Sequence, residues 1–134
     1  MKEVLQFLND CKIFYIATNS PEGPKVRPFG FVMEDGGKLY FSTNSTKDIF
    51  KQLSEDPRFE ISATLPDGMT WIRLKGKAVF DKGKAIREKA LADGSVLLQI
   101  YQTPDNPILE LFYAAEAEAT IYSFTGEPKK IKMQ

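Results

Sequence analysis

The spacing of apolar residues at the start of the chain predicts a short helix followed by a strand. Val4, Leu5, Phe7 and Leu8 fall within two helical turns, which indicates an amphipathic helix ending near residue 10. The next run, from Cys11 to Thr18, is rich in β-branched and aromatic residues and has the length of a strand. Turn residues follow it at 21–24, in the order Pro-Glu-Gly-Pro.

A second strand pattern is interrupted by residues that fit poorly in the interior of a sheet. The segment KVRPFGFVM and the segment KLYFST are predicted to be strands joined by a hairpin turn at 35–37. Pro28 has no N–H to donate to a neighbouring strand, and Gly30 weakens a strand interior. We therefore expect the first of these strands to be an edge strand or to contain a bulge.

From Thr46 the apolar spacing becomes helical, and Pro57 ends this helix. The remaining segments are the strand FEISATL, the strand MTWIRLKGKAVF with Gly76 as a bulge or bend, the helix KGKAIREKALADG closed by Gly94, the apolar stretch SVLLQIY, and the alternating strand AEAEATIYSF. Strands this close in sequence leave no room for the crossover helices of a parallel sheet. The pattern predicts a mainly β (α+β) fold: a small, closed or partly closed antiparallel barrel with helices outside it.

Composition narrows the range of functions. The 134 residues, expected to form one domain over 1–134, contain no histidine and a single cysteine, Cys11. Catalysis by Ser-His-Asp or Cys-His and histidine-ligated metals are therefore excluded, and no metal site is predicted. The 18 basic and 18 acidic residues balance, which argues against nucleic acid and membranes as partners. A lone cysteine and an amino terminus without an apolar run predict a cytoplasmic protein.

The most informative segment lies where a strand is predicted to end and a helix to begin. Unpaired N–H groups and the positive end of the dipole favour anions at a helix start. Hydroxyls, a carboxamide and an ammonium group are concentrated there, on Ser42, Thr43, Asn44, Ser45, Thr46 and Lys47. The segment predicts a phosphate site; the alternative is that Ser45 or Thr46 merely caps the helix.

Two further features point to a flat ligand, each with a structural alternative. Along Arg27, Pro28, Phe29, Gly30 and Phe31, unpaired main-chain groups beside aromatic surface would suit a heteroaromatic ring. The alternative is an ordinary edge strand with two core phenylalanines. Similarly, Trp71 either stacks on a ligand or fills the core, and Tyr15 and Tyr101 either line a pocket or form structural hydrogen bonds.

The order of these motifs resembles the pyridoxamine 5′-phosphate oxidase-like, FMN-binding split-barrel family over roughly residues 10–125. The resemblance rests on five motifs: Arg27–Phe31, the run Ser42–Lys47, Gln52-Leu53 with Asp56-Pro57, Trp71, and Gly76. It implies a six-stranded antiparallel split β-barrel with short flanking helices, which forms a homodimer with FMN at the interface.

The resemblance also assigns roles to individual residues. The segment Arg27–Phe31 would lie along the flavin ring, and Ser42, Thr43, Thr46 and Lys47 would hold the phosphate, while Asn44 and Ser45 shape the turn. Trp71 stands where the family's oxidases have a glutamine that reaches the flavin from the other subunit.

The resemblance leaves the reaction open. The oxidase itself uses an arginine and a histidine near its carboxyl terminus to bind the vitamin substrate, and this chain has no histidine. We expect a small flavin-dependent oxidoreductase or electron carrier with a small-molecule electron donor or acceptor, and no catalytic residue is identified. The alternatives are a deazaflavin-binding reductase on the same scaffold and a non-enzymatic ligand-binding or sensor barrel.

Overall fold

In the computed structural model, which describes residues 1–133, one antiparallel sheet of eight strands surrounds the core without closing on itself. Six strands have seven or more residues: β1 (Phe14–Ser20), β2 (Gly23–Phe29), β4 (Lys38–Asn44), β5 (Arg58–Thr64), β6 (Thr70–Phe80) and β7 (Leu109–Ser123). Two are short: β3 (Met33–Asp35) and β8 (Lys129–Lys132). The predicted mainly β split barrel with six principal strands is confirmed.

The opening of the barrel arises from one interrupted segment. The strand predicted over KVRPFGFVM is divided, because residues 30–32 belong to no strand, and its two parts become the two edges of the sheet in the order β2-β1-β5-β6-β7-β4-β3. β2 pairs only with β1, so the edge position expected from Pro28 and Gly30 is confirmed. β3 pairs with β4 through the predicted hairpin.

Four helices lie outside the sheet: α1 (Lys2–Cys11), α2 (Asp48–Glu55), α3 (Lys84–Ala90) and α4 (Val96–Tyr101). The helix predicted to close at Gly94 ends earlier, at Ala90, and a separate helix forms over most of SVLLQIY. The separate start of α4 has a local cause, because the Ser95 side chain accepts a hydrogen bond from the Leu97 N–H and so caps the helix. None of the helices in residues 1–133 is long and apolar enough to cross a membrane.

The core has two parts on opposite faces of β4. Phe41 is fully buried inside the barrel, where its ring contacts Phe14, Phe59 and Phe112 at centroid distances of 5.9, 6.3 and 5.6 Å. Tyr40, next along the strand, faces the other way and packs in a second cluster with residues of α3 and α4. The alternation along β4 therefore determines which of its polar residues can face the barrel interior.

Gly76 marks the predicted irregularity in β6. The pairing with β7 shifts register between Lys75 and Lys77, and on β7 Glu116 takes a positive φ of 52°. A Cβ on Gly76 would lie 3.2 Å from the Ala115 carbonyl oxygen, so the close approach of β7 explains the glycine. The predicted bulge is confirmed.

Candidate functional site

Arg27 lies at the open edge of the barrel, alongside helix α2. Its Nη1 donates to Thr18 Oγ1 at 2.7 Å, and its Nη2 donates to Gln52 Oε1 at 2.6 Å. β1 and β2 form a hairpin that pairs Arg27 with Ile16, and this register brings Arg27 next to Thr18. Gln52 reaches the same point from α2, so three elements together fix the guanidinium.

The positive charge of Arg27 is not neutralised by an ion pair with any described residue. Its hydrogen-bond acceptors are a hydroxyl, an amide oxygen and main-chain carbonyls. Partial burial lowers the pKa of the guanidinium, and the Asp48 carboxylate, which lies beyond ion-pair distance, opposes that shift. A half-buried cation held mainly by neutral acceptors favours an anion in its vicinity.

Helix α2 begins one residue later than a cap at Thr46 would require, and two residues later than a cap at Ser45 would require. Lys47 is the N-cap, and no side chain accepts a hydrogen bond there, so the predicted alternative of a serine or threonine cap is wrong. The side chain of Asn44 stabilises the turn before the helix instead: its Oδ1 accepts hydrogen bonds from the Thr46 N–H at 3.1 Å and from the Thr46 hydroxyl at 2.5 Å. The first N–H groups of α2 therefore have no side-chain partner.

Lys47 stands exposed at this helix start and makes no ion pair with residues 1–133. The positive end of the α2 dipole and the ammonium group act in the same direction, toward binding an anion. Arg27 approaches the same helix, because its partner Gln52 is one turn beyond Asp48. Lys47 therefore lies at the start of α2, and Arg27 is bonded to the second turn of the same helix.

Thr43 has a buried hydroxyl that the protein itself does not satisfy. The residue is 4% exposed, and its Oγ1 has no hydrogen-bond partner among the described residues. It shares the interior face of β4 with Phe41, whereas Ser42 shares the opposite face with Tyr40. The structure therefore separates Ser42 from Thr43, although the sequence places them side by side.

Asn44 and Tyr101 form part of the scaffold around this corner. The Asn44 amide donates to the Tyr101 hydroxyl, and that hydroxyl lies 3.3 Å from the Thr43 carbonyl oxygen. Tyr101 is buried and has this structural role, whereas Tyr15 is 52% exposed on the outside of the barrel. Of the two tyrosines singled out in the sequence, only Tyr101 lies near the polar segment.

The side chains of the segment Arg27–Phe31 are divided between different environments. Phe29 packs inside the barrel against Phe14 and Phe112, at 6.4 and 6.2 Å between ring centroids, and Phe31 packs against the second cluster. The interpretation of both phenylalanines as packing residues is correct for their rings. The main chain at 30–32 forms no backbone hydrogen bond with the described residues, so its polar groups can serve a ligand.

Trp71 is on the outer face of β6. Its ring stacks on Tyr122 at 5.6 Å with an interplanar angle of 11°, and it also contacts Phe124. The buried residues Ile72 and Leu74 point the other way, so the alternative that Trp71 fills the core is wrong. Arg27 pairs with the buried Ile16, on the interior face, and one chain does not bring Trp71 and Arg27 together.

Thr18 and Gln52 are site residues whose contacts with Arg27 the sequence did not reveal. The predicted turn at 21–24 provides one signal, because it joins β1 to β2 and so fixes the register that places Thr18 close to Arg27. Nothing in the local pattern indicates that Gln52, 25 residues beyond Arg27, reaches it, since that contact depends on how α2 packs.

The class of protein to which this chain belongs follows from comparison with known protein families. The family model described as pyridoxamine 5′-phosphate oxidase matches residues 1–120. The chain belongs to this family.

Solved structures agree with the assignment. A nimc/nima family protein from Clostridium acetobutylicum is 41% identical, with a TM-score of 0.92, covering 99% of this chain and 92% of that one. A pyridoxamine 5′-phosphate oxidase-related, FMN binding protein from Nostoc punctiforme has a TM-score of 0.73 at 16% identity, covering 99% and 96%. A heme binding protein from Mycobacterium smegmatis, at 16% identity and a TM-score of 0.69, shares the fold over 94% of this chain and 55% of that one. No curated protein matches the chain.

Proposed function

We propose that the protein is an FMN-binding flavoprotein, a small oxidoreductase or electron carrier that acts as a cytoplasmic homodimer. The observation that carries the proposal is the Arg27 guanidinium, which is held against α2 by neutral acceptors and has no ion-pair partner among the described residues. A phosphate monoester would supply the missing negative charge.

The residues around Arg27 fit a phosphate in three further respects. Among residues 1–133, Lys47 has no ion-pair partner, the first turn of α2 has no side-chain cap, and the buried Thr43 hydroxyl has no hydrogen-bond partner. Each of these groups gains a hydrogen bond or an ion pair when an anion binds. Asn44 and Thr46 would support the site by fixing the turn.

The flavin ring would lie along residues 30–32, whose main-chain groups make no backbone hydrogen bond within the described part of the chain. The bound flavin would supply the hydride or electron transfer, and the chain would supply binding and orientation. A deazaflavin on the same scaffold is the second candidate. The sequence contains no histidine, so haem would need another residue as its iron ligand.

A second copy of the chain would complete the site. The outer face of β1 and β2 exposes apolar residues side by side: Tyr15 is 52% and Val26 68% exposed, and Pro28 pairs with Tyr15. A continuous apolar patch of this kind is typical of an interface. In such a dimer, Trp71 of the partner subunit would stack near the flavin, which a single chain does not allow.

The visible absorption spectrum of the purified protein tests the cofactor, followed by release of the chromophore and measurement of its mass. We expect a yellow protein that releases FMN, or a colourless one that becomes yellow and binds stoichiometric FMN when it is added. Strong blue fluorescence would identify a deazaflavin instead. Protein that stays colourless in excess FMN would contradict the proposal and favour a non-enzymatic barrel.

Sedimentation equilibrium tests the dimer. Tyr15→Glu places a charge in the apolar patch and should convert the dimer to monomer. Ile100→Glu is the matched control, since Ile100 is also apolar and 60% exposed but lies on α4. A wild-type monomer, or dissociation by the Ile100 variant alone, would contradict the proposed interface.

A further inference from the structure

We infer that Gln52 is a positioning residue that holds the Arg27 guanidinium through a neutral acceptor and so leaves the arginine charge available to the bound anion. This inference rests on the proposed phosphate site. Gln52 itself would not touch the ligand: it would act through Arg27, and the property that matters is that its side chain is an amide and not a carboxylate.

The geometry around Gln52 is a closed triangle of short hydrogen bonds. Gln52 Oε1 accepts from Arg27 Nη2 at 2.6 Å and from Thr18 Oγ1 at 2.6 Å. Thr18 Oγ1 in turn accepts from Arg27 Nη1 at 2.7 Å. Thr18 is 2% exposed, so its hydroxyl has no access to solvent as an alternative partner. The guanidinium is therefore held from two sides, by β1 and by α2.

This arrangement leaves part of the arginine fork free. A guanidinium carries five N–H groups, on Nε, Nη1 and Nη2. Nη1 points to Thr18 and to the Lys25 and Ile16 carbonyl oxygens, and one N–H of Nη2 points to Gln52. The Nε group and the second N–H of Nη2 have no acceptor within residues 1–133. Two donors on one edge of a planar fork suit bidentate binding of a phosphate.

The neutral amide matters because of what a carboxylate would do at the same place. Glutamate has the same shape as glutamine and could accept both hydrogen bonds, so it would keep Arg27 in position. It would also form a direct ion pair with Arg27 and compensate the charge that attracts the anion. A purely structural role for Gln52 predicts that glutamate is an acceptable or better substitute, whereas the positioning role predicts weaker anion binding.

The test compares Gln52→Glu with the wild-type protein for binding of FMN and of riboflavin, which lacks the phosphate, by fluorescence titration. We expect the dissociation constant for FMN to rise about tenfold to a hundredfold, as for loss of a charge-assisted contact. The riboflavin constant and the unfolding temperature should stay near the wild-type values. Gln99→Glu, on the exposed side of α4, adds the same charge elsewhere and should leave both constants unchanged.

Two further variants keep the outcomes separable. Gln52→Met removes the acceptor without adding charge and should weaken FMN binding more than riboflavin binding, even if the glutamate variant is poorly folded. Arg27→Met tests the phosphate site itself. If Arg27→Met weakens FMN binding but Gln52→Glu binds FMN as the wild type does, the inference about Gln52 is wrong and the proposed function stands. If Arg27→Met leaves FMN binding unchanged, the proposed phosphate site is wrong, and the inference falls with it.

Discussion

Lys47→Ala should weaken FMN binding without weakening the fold. Lys47 is exposed, makes no ion pair with the described part of the chain, and provides no side-chain hydrogen bond to cap α2. Its ammonium group therefore contributes little to stability, and its removal costs mainly the contact with the ligand. A hydrogen bond between charged groups is worth about 1.5–3 kcal/mol, which corresponds to a rise in the dissociation constant of roughly ten- to 150-fold.

The measurement is a titration with FMN at two salt concentrations, together with a thermal unfolding curve of the free protein. Lys51→Ala is the matched control, because Lys51 is an exposed lysine one turn further along the same helix. The control should bind FMN as the wild type does. Added salt should weaken FMN binding more for the wild type than for Lys47→Ala, since one screened charge pair is already absent. Equal affinities for wild type and Lys47→Ala would refute the assignment of this lysine to the phosphate.

Three other predictions concern the backbone at Glu116, the ionisation of Tyr40 and the role of Trp71. Glu116→Gly should raise the unfolding free energy by roughly 0.5 kcal/mol, because it relieves a positive φ at the cost of a flexible residue. Glu118→Gly, at a position with regular backbone, should lower it by roughly 1 kcal/mol; equal losses in chemical denaturation would contradict this. Burial and the hydrogen bond to Asp81 raise the pKa of Tyr40. The protonated tyrosine therefore stabilises the fold below about pH 10, and this contribution is lost as the pH rises further. In Tyr40→Phe, the unfolding free energy should fall less steeply with pH above about pH 10 than in the wild type. Trp71→Ala should change the fluorescence of bound FMN. An unaltered fluorescence spectrum would show that Trp71 does not contact the flavin.

The sequence predicts the strands and the hairpins well because their signals are local. Pro28 and Gly30 identify the edge strand, and Gly76 identifies the bulge, since each of these residues restricts the backbone at its own position. Alternation along β4 also determines that Ser42 and Thr43 face opposite sides. This alternation makes it difficult for both side chains to contact the same phosphate, as the sequence predicts they do.

Features that depend on tertiary packing were beyond the local pattern. The contact between Gln52 and Arg27 exists because α2 lies across the end of β1, and no spacing in the sequence encodes that placement. The helix predicted over 82–94 is shorter than its pattern indicates, and the separate stretch SVLLQIY, to which the pattern gave no element, forms α4 after the cap at Ser95. The local pattern allows Trp71 either in the core or outside it, and only the register of β6 against β5 and β7 puts it outside.

A crystal structure grown with excess FMN is the most direct measurement of the central claim. We expect the phosphate to lie at the first turn of α2, within hydrogen-bond distance of Arg27, Lys47 and the Thr43 hydroxyl. We also expect a flavin ring along residues 30–32. Density for FMN at another place on the barrel, or a phosphate that contacts neither Arg27 nor Lys47, would contradict this claim.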